Sequence, residues 1–144
     1  MLIIDNSSIS LNLYRTIRHV HYKIQKELRN ELTEKGVTWP QFHTLFHIKD
    51  EGIPFNKLAQ KVHCNASNMT GLIDRMEDNG WVYRERSEKD RRVWLVKLTA
   101  EGSEMRENLI PKHRNNIEER MNRLTQEEQK TLKKLMEKLM EDKE

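Results

Sequence analysis

The chain has 144 residues, enough for one domain whose core needs no disulfide or metal staple. Hydrophobic residues make up 35% and charged residues 34%, and no apolar run approaches the roughly 20 residues of a membrane span, which excludes a transmembrane role and describes a water-exposed, helix-rich chain. A net charge of +3 and a pI near 9.0 permit a nucleic-acid partner without requiring one.

The opening MLIIDNSSIS holds a short apolar patch and no basic start, so it does not fit a secretory signal. The single cysteine, Cys64, rules out an internal disulfide framework and a cysteine zinc knuckle, and a cytoplasmic location is expected. The positive surplus is uneven: residues 15–35 hold six basic against three acidic side chains and residues 84–92 five against three, whereas residues 101–144 hold ten against eleven.

Taken in chain order, Tyr14, Ile17, His21, Ile24, Leu28 and Leu32 recur at three- and four-residue steps, which predicts a long first helix ending before Gly36. Thr38 and Gln41 have capping-box spacing with Pro40 in the first turn, so a second helix should carry Phe42, Leu45, Phe46 and Ile48 and stop near residues 50–52. Phe55 to Val62 fits a short helix with Leu58, Ala59 and Val62 inward. Asn65 then caps a fourth, with Met69, Leu72, Ile73 and Met76 inward and Gly80 just past its end. Two strand-like runs, WVYRER and RVWLVKL, flank the charged SEKD as a hairpin. Thr99 can cap a helix from Ala100 into the 110s, where Pro111 should bend it or mark an early turn, and the pattern resumes through Ile117 and Met121. Thr125 and Glu128 repeat the capping-box spacing before a last helix with Leu132, Leu135, Met136, Leu139 and Met140 on one stripe. The fold class is therefore mostly α with a small β-hairpin wing, an α+β winged helix-turn-helix flanked by further helices.

A helix-turn-helix followed by a basic wing points to double-stranded DNA. The second helix of such a pair enters the major groove by its N-terminal residues, and Asn65, Ser67, Asn68 and Thr70 can all bond base edges or phosphates, with Arg75 the next exposed basic group. The wing offers Arg84, Arg86, Lys89 and Arg91 to the backbone, and Arg91 is best placed to enter a narrow A·T-rich minor groove. There is no glycine-rich phosphate loop, no H-E-x-x-H and no nucleophile elbow, which argues against an enzyme. The alternative is a winged helix that binds protein rather than DNA.

Two segments, LAQKVHCNASNMTGLIDRMEDNGWV (residues 58–82) and DRRVWLVKLTAEG (residues 90–102), together resemble the helix-turn-helix and wing signature of the MarR family of bacterial winged-helix regulators. The resemblance implies that residues 1–144 form one MarR-like domain, with helices in 8–35 and 100–144 interlocking in an obligate homodimer around a winged region at 38–99. The apolar stripes of those outer helices agree, since a three-helix winged domain cannot cover them. It further implies a transcriptional repressor on a pseudo-palindromic operator, released by a small phenolic ligand, a metal or an oxidant. Carried over residue by residue, Asp74 pairs with Arg92 and so braces the wing, leaving Arg91 for the DNA. His63 departs from the pattern, standing where the family commonly has Gly in the turn.

For an effector, the candidate pocket is Tyr22, Trp39, Phe42, His43 and Phe46. His43 and His47 share a helix face, with His19, His21 and His113 elsewhere, but a ligand pair expected of zinc-sensing relatives is missing, so packed histidines and no metal or cofactor are expected. Cys64 reads as a small packed hydrophobe; the sharper reading, an oxidant-sensitive thiol before the recognition helix, remains open.

Overall fold

The computed structural model describes residues 8–142. In chain order these form α1 (Ile9–Glu34), α2 (Trp39–His47), β1 (Ile53–Pro54), α3 (Phe55–Lys61), α4 (Ala66–Asp78), β2 (Val82–Arg86), β3 (Trp94–Leu98), α5 (Ala100–Met121) and α6 (Gln126–Met140). The chain divides into two compact units, one up to Arg106 and one from Glu107. Among the described residues no helix is long and apolar enough to cross a membrane.

In the first unit, local hydrogen bonding sets the helix ends. Ser8 caps α1 through its hydroxyl, and Thr38 with Gln41 closes a reciprocal capping box at α2 with Pro40 in its first turn. Three helices end the same way. After α1, α3 and α4 the chain turns through a residue with positive φ, at Gly36, His63 and Gly80, and paired backbone bonds satisfy the last carbonyls. At α4 these bonds run from the Gly80 N–H to the Glu77 carbonyl and from the Trp81 N–H to the Met76 carbonyl. The core gathers Leu28 and Leu32 of α1, Phe42 and Leu45 of α2, Leu58 of α3, the expected Met69, Leu72, Ile73 and Met76 of α4, and Val82 and Val96 of the hairpin.

Several expectations need correction. Phe46 is 47% exposed rather than core, and Ile48 lies beyond the end of α2 in extended backbone yet is fully buried. In α1 only Leu28 and Leu32 are buried and Tyr14 is exposed, as expected of a stripe that the winged domain does not cover. Strand β1 was not anticipated. Its two residues pair antiparallel with β3, Ile53 opposite Val96 and Pro54 opposite Leu95, giving the order β1-β3-β2. Pro54 lacks a donor and accordingly occupies an edge strand.

The second unit comprises the rest of α5, a short turn and α6. The helix runs unbroken through Pro111, which withholds the N–H that the Glu107 carbonyl would otherwise receive. Thr125 and Glu128 form the expected capping box, and the Gln129 amide donates to Asn122 and to the Leu124 carbonyl across the turn. The stripe of Leu132, Leu135, Met136, Leu139 and Met140 stands exposed along α6, which has no buried residue.

Candidate nucleic-acid interface

Helix α4 is set up by its own first turn. The Asn65 side-chain carbonyl accepts from the Asn68 N–H at 2.9 Å and from the Ser67 hydroxyl at 3.1 Å. Its amide N–H groups are therefore directed away from the cap. The Thr70 hydroxyl donates to the Ala66 carbonyl and keeps its acceptor capacity. Asn65, Ser67, Asn68 and Thr70 are all exposed. Arg75, exposed too, is seven residues beyond Asn68, so the two share one helix face, a quarter-turn round from the buried methionines. The turn before α4 carries His63 at φ 54°, a left-handed conformation that a histidine adopts at some cost.

The wing is the β2–β3 hairpin. Val82 pairs with Leu98, Arg84 with Val96 and Arg86 with Trp94. Because side chains alternate along a strand, these three pairs share one face, whose root is the buried Val82 and Val96. Tyr83, Glu85, Leu95 and Lys97 take the other, where Lys97 bonds Glu85 at 2.9 Å and is held more firmly protonated by that contact. The tip, residues 87–93, is closed by backbone bonds from Ser87 to Val93 and from Val93 to Asp90.

The expected Asp74–Arg92 pair does not form. Arg84 occupies Asp74 instead: its guanidinium reaches Asp74 at 2.7 Å and Glu77 at 2.9 Å, and approaches the Thr70 carbonyl at 3.4 Å. The strand face decides this, since β2 leaves α4 through the Gly80 turn and its inward alternation directs Arg84 back along the helix. Arg92 lies in the tip, where Asp90 already accepts its N–H at 3.1 Å and its Nε at 3.1 Å, so the pair is closed locally. The guanidinium first, and then the backbone N–H, hold the Asp90 carboxyl below the usual carboxylate range. Arg84 thus ties β2 to α4, and Arg86 also makes its contacts within the wing, on Trp94 and the Arg91 carbonyl. Arg75, Lys89 and Arg91 are exposed, with no ion pair among the described residues.

Residues 37–94, from the end of α1 to the first residue of β3, match the MarR family. A Bacillus subtilis relative described as the uncharacterized HTH-type transcriptional regulator YsmB is 30% identical over 129 residues, 86% of this chain and 88% of its own. The chain belongs to the MarR family. A second B. subtilis relative, the HTH-type transcriptional repressor YetL, is 26% identical over 135 residues, 92% of this chain and 81% of its own. Among solved structures, a mutant E. coli MarR complexed with operator DNA superposes with a TM-score of 0.76 at 28% identity, covering 95% of this chain and 99% of that one. As a MarR-family protein the chain is a transcription regulator with a winged-helix DNA-binding fold, not an enzyme.

Elsewhere in this MarR-family regulator, the effector candidates are only partly brought together. The Trp39 and His43 rings lie 4.6 Å apart and Phe42 meets His43 edge-on, but Phe42 is buried in the core. Phe46 packs on His47, and Tyr22 is exposed on α1. An open cleft of about 600 Å³ lies elsewhere, among Phe55, Thr70, Asp74, Arg84, Arg92 and Trp94. Among the described residues no group of three or more His, Cys, Asp or Glu side chains is placed to hold a metal ion. Cys64 is half-buried, its N–H bonded to the Ala59 carbonyl.

Burial lowers the pKa of both His43 and His47; nearby His63 adds to this at His43, and Lys61 and then His43 at His47. A folded-state pKa below the unfolded one means that stability is complete above the usual imidazole value and declines as pH falls beneath it. Thermal melts from pH 7.5 to 5.5 should therefore show a midpoint falling by roughly a few degrees, and the double variant His43→Gln, His47→Gln should flatten that slope. An unchanged slope in the double variant would assign the acid sensitivity to other groups.

Sequence reasoning missed Glu77, Trp94 and Gly102. A Cβ at Gly102 would stand 1.9 Å from the Trp81 carbonyl oxygen, so the glycine of LTAEG is there for close backbone approach. The signal for Trp94 was its place opposite Arg86, which becomes readable only once the hairpin register is known.

Proposed function

We propose that this chain is a sequence-specific repressor that binds a pseudo-palindromic operator as a homodimer, one winged helix per half-site, and is released by a small effector. The observation that carries the reading is the pairing of an exposed polar first turn on α4 with an exposed Arg91 at the wing tip, on one scaffold braced by Arg84. Asn65, Ser67, Asn68 and Thr70 would read the major groove, Arg75 and Lys89 the phosphates, and Arg91 the minor groove. The operator complex of E. coli MarR supports a DNA partner for the same fold, and the naming of YetL as a repressor supports the direction of control.

The dimer reading rests on apolar faces that lack cover: Leu132, Leu135 and Leu139 on α6, and Ile9, Leu13 and Val20 on α1. An isologous contact between copies would bury them. The aromatic and histidine cluster around Trp39, Phe42, His43 and Phe46, with Tyr22, is the proposed effector-responsive region.

Selection of duplex DNA from a random pool by the full chain tests the reading. Enrichment of a two-fold motif with half-sites about 10 base pairs apart is expected. A pool that stays random after successive rounds would favour the protein-binding alternative and sink this one.

A further inference from the structure

The wing tip contains one cluster that the reading above leaves without a task. Arg86 ends β2 and stands opposite Trp94, which opens β3. The guanidinium carbon lies 4.3 Å from the indole centroid, and Arg86 Nη1 donates to the Arg91 carbonyl at 2.6 Å. Trp94 is 42% exposed, so this is not a core packing contact that burial alone would explain.

We propose that Arg86 and Trp94 form a clamp that presets the backbone of Arg91, making Arg86 a positioning residue for DNA recognition rather than a DNA contact. The inference rests on the DNA-binding reading. Within the tip, Ser87, Val93, Asp90 and Arg92 tie to one another, but the one tie that reaches Arg91 among the described residues is the bond from Arg86. Without it the residue assigned to the minor groove would be held only through its neighbours Asp90 and Arg92, and its own backbone would have to be ordered at the moment of binding. With it the order is set beforehand. The chemistry requires arginine, because only a planar guanidinium can lay its face on an indole while an N–H in its plane donates sideways. A lysine keeps the charge and can make one of the two contacts.

The clamp also connects to the recognition helix. Val96 with Arg84, then Trp94 with Arg86, succeed one another on the same hairpin face, and Arg84 is fastened to Asp74 and Glu77 of α4. The position of Arg91 is thereby referred, through two arginines, to the helix whose first turn reads the major groove. The two arginines of β2 are thus both spent on holding the wing, one at its root and one at its tip.

The test uses the full chain and its selected operator, comparing wild type with Arg86→Lys, Trp94→Ala, Arg91→Ala and the double variant Arg86→Lys, Arg91→Ala. Arg86→Lys and Trp94→Ala should each weaken binding about fivefold with the salt dependence unchanged, and Arg86→Lys should add less than about twofold once Arg91 is gone. Full affinity in Arg86→Lys, or losses that multiply in the double variant, would overturn the clamp while leaving operator binding itself intact. Amide hydrogen exchange of the free protein gives an answer that does not need DNA. Exchange at Arg92 and Val93 should quicken in Arg86→Lys and in Trp94→Ala, with core amides unmoved, and unchanged tip exchange would refute the clamp even if no operator were found.

Discussion

Gly102→Ala should lower the thermal midpoint by roughly 6–15 °C, corresponding to a loss on the order of 2–4 kcal/mol. Two effects oppose each other. Alanine is the better helix former by about 1 kcal/mol, and Gly102 lies in the first turn of α5, so propensity alone predicts a gain. Against it, the added Cβ would stand 1.9 Å from the Trp81 carbonyl oxygen and 2.9 Å from its carbon, distances that only a backbone shift can relieve. That backbone has nowhere convenient to go. The Trp81 carbonyl accepts the Thr99 N–H at 3.0 Å, the Trp81 N–H closes the end of α4, and the Thr99 hydroxyl both donates to the Gly80 carbonyl and caps α5 by accepting from Gly102. The clash therefore spreads to the junction that fixes hairpin to recognition helix. Gly71→Ala is the control, because a Cβ there meets only the Arg75 guanidinium at 3.6 Å, an ordinary contact. It should leave the midpoint unchanged or raise it slightly. A Gly102→Ala variant that melts like Gly71→Ala would remove close approach as the reason for this glycine.

Arg91→Ala is the second large effect, read on DNA rather than on folding. Its side chain is exposed at the wing tip, so the fold should survive with a midpoint within a degree or two of wild type. Operator affinity should fall roughly 30–150-fold, since two wings per dimer would each lose about 1–1.5 kcal/mol. The preference for A·T pairs at the outer edges of the site should flatten, whereas selectivity at the major-groove positions read by α4 should persist. Arg84→Ala would weaken binding by another route. It releases Asp74 and Glu77 together, so the wing should exchange faster in the free protein, and hydrogen exchange separates the two variants.

The contrast between these two arginines marks how far the sequence could be read. Caps and turns were legible because their chemistry is local: Thr38 with Gln41, Asn65 with Asn68 and Thr125 with Glu128 each span three residues, and all three form. The inward face of α4 was legible too, because its period is unambiguous and all four residues are buried. The partner of Asp74 was not legible. It depends on which face of a strand an arginine takes, which is set by hairpin register rather than by spacing to α4, and the resemblance carried over Arg92 where Arg84 forms the bond. Strand β1 escaped for a related reason, since two residues give no alternation to detect and its existence depends on β3 being nearby. Phe46 misled because a helical stripe was extended by one turn into solvent, where it now packs edge-on against His47.

An operator held by exposed basic groups on a paired winged helix should release counterions on binding, and the salt dependence of affinity for the selected duplex measures that release. Arg75, Lys89 and Arg91 from each of two copies predict that log affinity falls against log salt with a slope of about −5.4, moving toward about −3.6 in Arg91→Ala. A slope near zero, with affinity unchanged between low and moderate salt, would rule out such a DNA-binding surface and mark the winged helix as a protein-binding one.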